Sequence, residues 1–479
     1  MLFNSLQFAF FFPVVTVLYF ILPQRYRWFM LLVASCVFYA AFIPAYLLIL
    51  FVLIAIDYAA GIMIERAAAD RKRYFLLLSI VSTCLVLFVF KYYGFFNANL
   101  SRLAGLIHWN YPVPALSLIL PIGLSFHTFQ SLSYVIEVYR GKQKAEHNLG
   151  IYALYVMFYP QLVAGPIERP GHMLHQFYEH HRFDYRRVTD GLKLMAWGLF
   201  KKVVVADRLV YYVDAVYKHP NDQFGIALLT ATFFFAFQVY CDFSGYSDIA
   251  VGAAKVMGFR LMQNFKRPYF AKSIGEFWQR WHISLSTWFR DYVYIPLGGN
   301  RVPFGRWEFN IMVTFLLSGL WHGANWTFVI WGMLHGLYYV AESAARRIGL
   351  AVNARFVRAA GIFCLVGFAW IFFRASSLSD ALCVIRRLPT GYVYMVNNLD
   401  NYRFFGLMLA RKGLRPFLLA WLGIMVLLIV ELIQRRGSII ARVRRLPPVV
   451  RWALYYGLIM SIILFGAFDR NYQFIYFQF

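Results

Sequence analysis

The chain has 479 residues, of which 61% are hydrophobic, 20% aromatic and only 14% charged, a balance that excludes an ordinary soluble domain. Lys and Arg outnumber Asp and Glu by 47 to 22, a formal net charge of +25, which in a soluble protein would point to nucleic acid. Here the basic residues collect in short loops such as 66–73 and 435–445 between apolar runs. That is the distribution of a polytopic membrane protein with cytoplasmic positive loops, and it argues against a nucleic-acid partner. Some of these charges are expected to meet anionic membrane lipid or a phosphate-bearing donor.

Windows long enough to cross ~30 Å of hydrocarbon as helices are predicted at 6–22, 28–43, 46–64, 74–90 and 115–136. Later windows are 151–164, 191–205, 224–240, 310–320, 326–341, 357–373, 417–433 and 452–468. The first run lacks a basic leader and is expected to stay as a membrane anchor. Segments 165–187 and 273–300 mix charges, aromatics, Pro and Gly, and at membrane depth such backbone is tolerated only inside protein or beside a watery cavity. They read as re-entrant or interfacial helices, and 386–415 as a loop with a surface helix. Loop charge places Arg25, Arg27, 66–73 and 140–144 inside, leaving 97–114 as an outside loop and both termini periplasmic. One integral membrane domain, all-α, is expected over 1–479. Its core is 120–345, flanked by spans in 1–119 and 346–470, with an aromatic tail at 471–479.

Two histidines in this apolar setting carry the chemistry. His282 stands in Trp281-His282-Ile283-Ser284-Leu285-Ser286 and His322 in Trp321-His322-Gly323-Ala324-Asn325; ionisable groups at membrane depth are costly and functional by default. Helical spacing puts Trp278, His282, Leu285, Ser286 and Phe289 on one face. Asp291 then lies opposite, which excludes a His–Asp dyad within one straight helix. For His282, proton handling and a structural bond to a backbone carbonyl both stand. His322 sits where small residues permit substrate access, and a neutral imidazole there can take a proton from an attacking hydroxyl. His335, thirteen residues past it and turned well away around the same helix, is expected to be structural.

Asp242-Phe243-Ser244-Gly245-Tyr246-Ser247-Asp248 places carboxylates and hydroxyls between apolar stretches. Capping of a helix starting at Ile249, with helix–helix hydrogen bonding, competes with direct substrate contact by Asp242, Ser244 and Tyr246. Asp291 and Asn325 are further candidates for substrate or tunnel contact. Gly165-Pro166 has the turn chemistry of a broken helix. No metal is expected, because His172, His175, His180 and His181 lack a completing Cys or carboxylate pattern. The five Cys lie singly, without paired metal or disulfide spacing. Nucleophile elbow, Walker loop and dinucleotide fingerprint are all missing from the sequence.

Taken in order, Gly165-Pro166, the Asp242–Asp248 heptapeptide, Asn264-Phe265-Lys266-Arg267-Pro268-Tyr269, the His282 segment through Arg301, and Gly319-Leu320-Trp321-His322-Gly323-Ala324-Asn325 resemble the membrane-bound O-acyltransferase (MBOAT) family. The likeness is to its bacterial alginate O-acetylation and D-alanylation branch. The resemblance implies that His322 is the catalytic histidine and His282 the second signature position, which is His or Asn in different branches. It also implies a ring of tilted helices around a central tunnel, acetyl-CoA as donor with no bound cofactor, a polysaccharide acceptor and a periplasmic SGNH-type acetyltransferase as partner. Lys193, Lys201, Lys202 and Arg208 suit coenzyme phosphates by charge, but cytoplasmic topology accounts for them equally. Transfer of D-alanine to teichoic acid, a lipid acceptor, and a transporter or flippase stand as alternatives.

The tail Phe474-Ile475-Tyr476-Phe477 is similar to the Phe-x-Tyr-Phe ending of the small partner peptide in D-alanylation systems. Tyr476 is a candidate tethered acyl carrier by that resemblance, and an aromatic interface anchor otherwise.

Overall fold

The computed structural model describes residues 1–116, 118–163, 165–350, 354–392, 413–468 and 474–475, and among these every regular element is a helix. The described helices long and apolar enough to cross a membrane are Tyr46–Arg66, the continuous run Ala69–Leu106, Gly225–Met257, Arg355–Arg374, Leu414–Gln434 and Pro448–Phe465. Their outer faces are bare hydrocarbon: Val449 is 81% exposed and Leu464 69%, tolerable only when lipid replaces water. The protein is an all-α polytopic membrane protein.

The chain divides into two compact units, Met1–Leu192 with Ala250–Met262, and Lys193–Ile249 with Gln263–Phe479. In the first unit Leu53, Leu87 and Leu124 form a core cluster. Beside it the buried Asp57 carboxylate on Tyr46–Arg66 accepts hydrogen bonds from Ser79 Oγ at 2.6 Å and Thr83 Oγ1 at 3.1 Å. Such bonds join neighbouring helices where apolar burial gives no drive against lipid.

Several predicted windows are redrawn. Residues 97–106, expected in an outside loop, continue the preceding helix through a π-turn at Phe88–Tyr92 as far as Leu106. The window 115–136 becomes helical only at Leu124, because Pro112, Pro114 and Pro121 remove donors and push their neighbours out of helical geometry, and Gly123 takes a positive φ of 78°. Arg27, expected in a loop, lies inside Gln24–Ala40 and donates to the carbonyls of Leu22 and His181. Residues 165–187 and 273–300 hold short helical pieces, Pro170–Met173, Leu174–Phe177, Ile274–Trp278 and Ile283–Phe289. Of the 386–415 stretch, residues 393–412 lie outside the described part.

The largest revision is at Asp242–Asp248. It is not a junction: Gly225–Met257 runs unbroken through it for 33 residues, so capping at Ile249 is overturned. A polar break is unnecessary because two lysines from a neighbouring π-turn meet the carboxylates inside the second unit.

In that unit, helices Phe304–His322 and Trp326–Arg347 form a tight hairpin. Gly319 and Gly332 face each other there, and a Cβ on Gly332 would collide with the carbonyl of Phe315. This small-residue contact sets the hairpin spacing and thereby the height of His322 at its tip. Gly332→Val is expected to cost about 1–3 kcal/mol by overpacking, read as a lower Tm in detergent; an unchanged Tm would show that the hairpin spacing is soft.

Candidate functional site

His322 is the last residue of its helix, since Gly323 turns extended at φ −165°. Asn325 then starts the next helix by accepting the backbone N–H of Thr327 at 3.1 Å. Asn325 is thus a capping residue that fixes the turn beside His322, whatever else it touches. The same connection corrects the expectation for His335, which sits on the following helix rather than on that of His322.

The His322 ring is 2% exposed, and its Nδ1 lies 2.6 Å from the carbonyl oxygen of Ser318. A carbonyl only accepts, so Nδ1 carries the proton, and in the neutral ring Nε2 holds the lone pair. One helical turn of backbone therefore selects the tautomer that leaves Nε2 as a base. Around the ring stand Trp321 at 4.9 Å, Trp331 at 4.7 Å and Phe373 at 5.6 Å. These walls hold the imidazole in place.

His282 is brought to the same spot from another segment. The expected single helical face through Trp278 and Phe289 does not exist. The backbone turns left-handed at His282, φ 42°, and splits the stretch into Ile274–Trp278 and Ile283–Phe289. Bonds from Asn264 hold the break: its carbonyl accepts the N–H of Ile283 at 2.9 Å and its side chain accepts the Ser284 hydroxyl at 3.0 Å. The His282 ring, fully buried, stands 4.5 Å from Phe243 and 6.1 Å from Trp321. Trp321 thus touches both histidines, and the two signature segments converge on one indole. His335 lies beyond, 4.9 Å from Trp331 and 5.0 Å from Trp278, packed among rings as a structural residue would be. Asp291 sits in a π-turn, Arg290–Tyr294, paired with Arg290 at 2.8 Å.

The same unit holds a buried charge cluster that sequence reasoning did not assemble. Lys201 and Lys202 stand in the π-turn Phe200–Ala206, and the ammonium groups of both reach carboxylates on Gly225–Met257. Lys201 Nζ meets Asp248 at 2.7 Å and donates to Ser244 Oγ at 2.9 Å. Lys202 Nζ, 1% exposed, lies 2.7 Å from both Asp207 and Asp242. Lys202 is therefore committed to carboxylates, and Arg208 donates to the Phe465 carbonyl at 2.5 Å, which removes both from the set of free cytoplasmic charges. The one signal in the sequence was a lysine pair inside the apolar window 191–205.

Asp242 has a further partner. Its Oδ2 accepts the backbone N–H of Ile475 at 2.7 Å, and Phe474 packs 4.6 Å from Tyr246 and 5.5 Å from Phe243. Tyr476 itself lies outside the described residues.

A cavity of about 490 Å³ opens within the same unit, lined among others by Lys193, Lys201, Tyr240, Phe265, Lys266, Arg267 and Glu431. Its wall residue Phe265 lies nearly parallel to the His282 ring, 6.4 Å away, so one ring borders both the cavity and His282. Lys266 and Arg267 were quoted in the sequence only as part of a motif. Among the described residues no group of three or more His, Cys, Asp or Glu forms a metal cage; His172 is instead bonded to Glu168 at 2.6 Å.

Residues 145–382 match the model of the membrane-bound O-acyltransferase family. The chain is 38% identical to the probable alginate O-acetylase AlgI of Pseudomonas aeruginosa over 430 residues, covering 88% of this chain and 82% of that protein. Identity to the peptidoglycan O-acetyltransferase of Helicobacter pylori is 36% over 424 residues, covering 81% and 79%. To the teichoic acid D-alanyltransferase of Streptococcus thermophilus it is 29% over 253 residues, covering 48% and 59%. Both histidine segments lie within the matched stretch.

Proposed function

We propose that this chain, which belongs to the membrane-bound O-acyltransferase family and is an O-acyltransferase, moves an acetyl group from cytoplasmic acetyl-CoA across the inner membrane for O-acetylation of an extracytoplasmic polysaccharide. The observation that carries this reading is the hydrogen bond from His322 Nδ1 to Ser318, which leaves Nε2 as a base in a dry aromatic pocket. Nε2 takes the proton of an attacking hydroxyl as the oxygen adds to the thioester carbonyl. The tetrahedral adduct then expels the coenzyme thiolate, which takes up that proton from Nε2, giving an ester, free thiol and the neutral imidazole.

The donor side of the reading is the basic cavity. Coenzyme A is a polyanion, and Lys193, Lys266 and Arg267 around one opening suit its phosphates, while the thioester end points past Phe265 toward His282. A ring of tilted helices with a tunnel from this cavity to the histidines belongs to the same proposal, as do the periplasmic termini inferred from loop charge. Acetyl is favoured over D-alanyl because likeness to the acetylating relatives covers 81–88% of this chain and likeness to the D-alanylating one only 48%. A periplasmic SGNH-type acetyltransferase would receive the group and place it on an alginate-like polymer or peptidoglycan. Tyr476 is the residue we propose as the tethered acceptor between them: its phenol loses the proton to His322 and carries the acetyl ester outward.

Purified protein in sealed vesicles should release free CoA thiol from acetyl-CoA and leave D-alanyl carrier protein intact; the reverse preference would sink the acetyl reading. Charge reversal at the cavity mouth, Lys266→Glu with Arg267→Glu, is expected to raise KM for acetyl-CoA on the order of 10-fold or more, by loss of phosphate pairing, with kcat nearly unchanged. Equal KM values in the two proteins would remove the cavity from the donor path.

A further inference from the structure

Two residues near the chain's C-terminal end, Phe474 and Ile475, are bound inside the second unit. Phe474 is fully buried and Ile475 is 3% exposed, although an 18-residue helix, Pro448–Phe465, ends shortly before and has only Ile462 buried along its length. The segment therefore leaves a lipid-facing helix and re-enters the interior. Its hold is specific. Ala467, just past the helix, donates its backbone N–H to the Val203 carbonyl at 2.9 Å, within the π-turn that carries the lysines. Ile475 N–H donates to Asp242 Oδ2 at 2.7 Å, while Oδ1 of the same carboxylate pairs with Lys202. Phe474 fills the space between Phe243 and Tyr246, and the Phe243 ring is the one packed on His282 at 4.5 Å.

We propose that Asp242 is a positioning residue that docks this C-terminal segment, one oxygen taking the backbone amide of Ile475 and the other tied to Lys202. A carboxylate is the right group for this task. It offers two acceptor oxygens, so it can be oriented by an ammonium on one side and still accept an amide on the other, and such charge-assisted bonds are the strong ones. The recognition is of backbone, with the Phe474 ring supplying side-chain selection among the described residues, which is how an extended peptide is held in a groove. Docking fixes the chain at position 475, one ring away from His282, so that whatever follows starts from a set point beside the histidines. Asp242 thus acts through the tail and not by touching the donor. The inference rests on the acyl-transfer reading, because the set point matters only if the tail takes part in transfer.

The test removes the amide and spares the carboxylate. Ile475→Pro deletes the donor while leaving Asp242, Lys202 and Asp207 unaltered; Ile475→Val keeps the N–H and serves as control. Each full-length protein is assayed in vesicles for acetylation of the external acceptor and for KM of acetyl-CoA, with Tm in detergent measured alongside. Loss of a hydrogen bond to a charged group is expected to lower acceptor acetylation on the order of 10-fold in Ile475→Pro, with KM and Tm matching the native protein and with Ile475→Val fully active. Native-level acetylation in Ile475→Pro overturns the proposal, and so does a loss accompanied by an equal fall in Tm, which would make the contact structural. Tyr476→Phe separates the two ideas: an active Tyr476→Phe beside an impaired Ile475→Pro ends the carrier reading and leaves the docking role standing.

Discussion

His322→Ala is expected to lower acyl transfer by about 10²–10⁴-fold, the range a positioned general base supplies, with a fall in Tm from the cavity it leaves among the rings. The hairpin that carries it is still held by Gly319, Gly332 and the Asn325 cap. The loss should fall on kcat, since nothing in the donor cavity is touched. Thioester-dependent transfer at native rate in His322→Ala would show that a group other than this imidazole takes the proton. His322→Gln is the sharper companion, as it fills similar volume and offers no basic nitrogen, and it should be as inactive as alanine.

Lys202→Met is expected to destabilise the second unit by about 3–5 kcal/mol, the cost of leaving buried charge without its partner. Two carboxylates, Asp207 and Asp242, share this one ammonium at 2.7 Å each, and methionine would fill the space while leaving them face to face. Membrane extraction yield and Tm are the measurements. The double change Lys202→Met with Asp207→Asn should recover part of the loss by removing one of the stranded charges, and a double variant no more stable than the single would mean the cluster is held by something other than charge balance. Lys201→Met should be milder because its partner Asp248 is 28% exposed and has access to other solvation.

The sequence made the membrane class plain, because length and apolarity of a span are local properties. The two histidine segments were also legible, through chemistry that hydrocarbon makes expensive. The path of the backbone through those segments was not. A helical face was expected across Trp278 to Phe289, yet the chain turns left-handed at His282, because the bonds that hold the break come from Asn264, which periodicity around His282 cannot reveal. The unbroken helix through Asp242–Asp248 was hidden for a related reason: whether carboxylates end a helix depends on cations brought by another element, and those arrive from a turn with non-α geometry. Pro112, Pro114 and Pro121, by contrast, were local signals, and the window 115–136 should have been started after them. Burial of Phe474 and Ile475 was out of reach, since an aromatic ending reads equally well as an interface anchor.

The π-turn Phe200–Ala206 sets a phase. A widened turn accommodates one more residue than an α-helix would in the same rise, so deleting a single residue there would let the segment relax to ordinary winding while the flanking helices keep their facing. Inside the turn the side chains would move round by one position, and Lys201 and Lys202 would no longer both reach their carboxylates. The segment should consequently tolerate many conservative replacements of its valines but no change in length, making residue count rather than residue identity the quantity under constraint along this stretch of the chain.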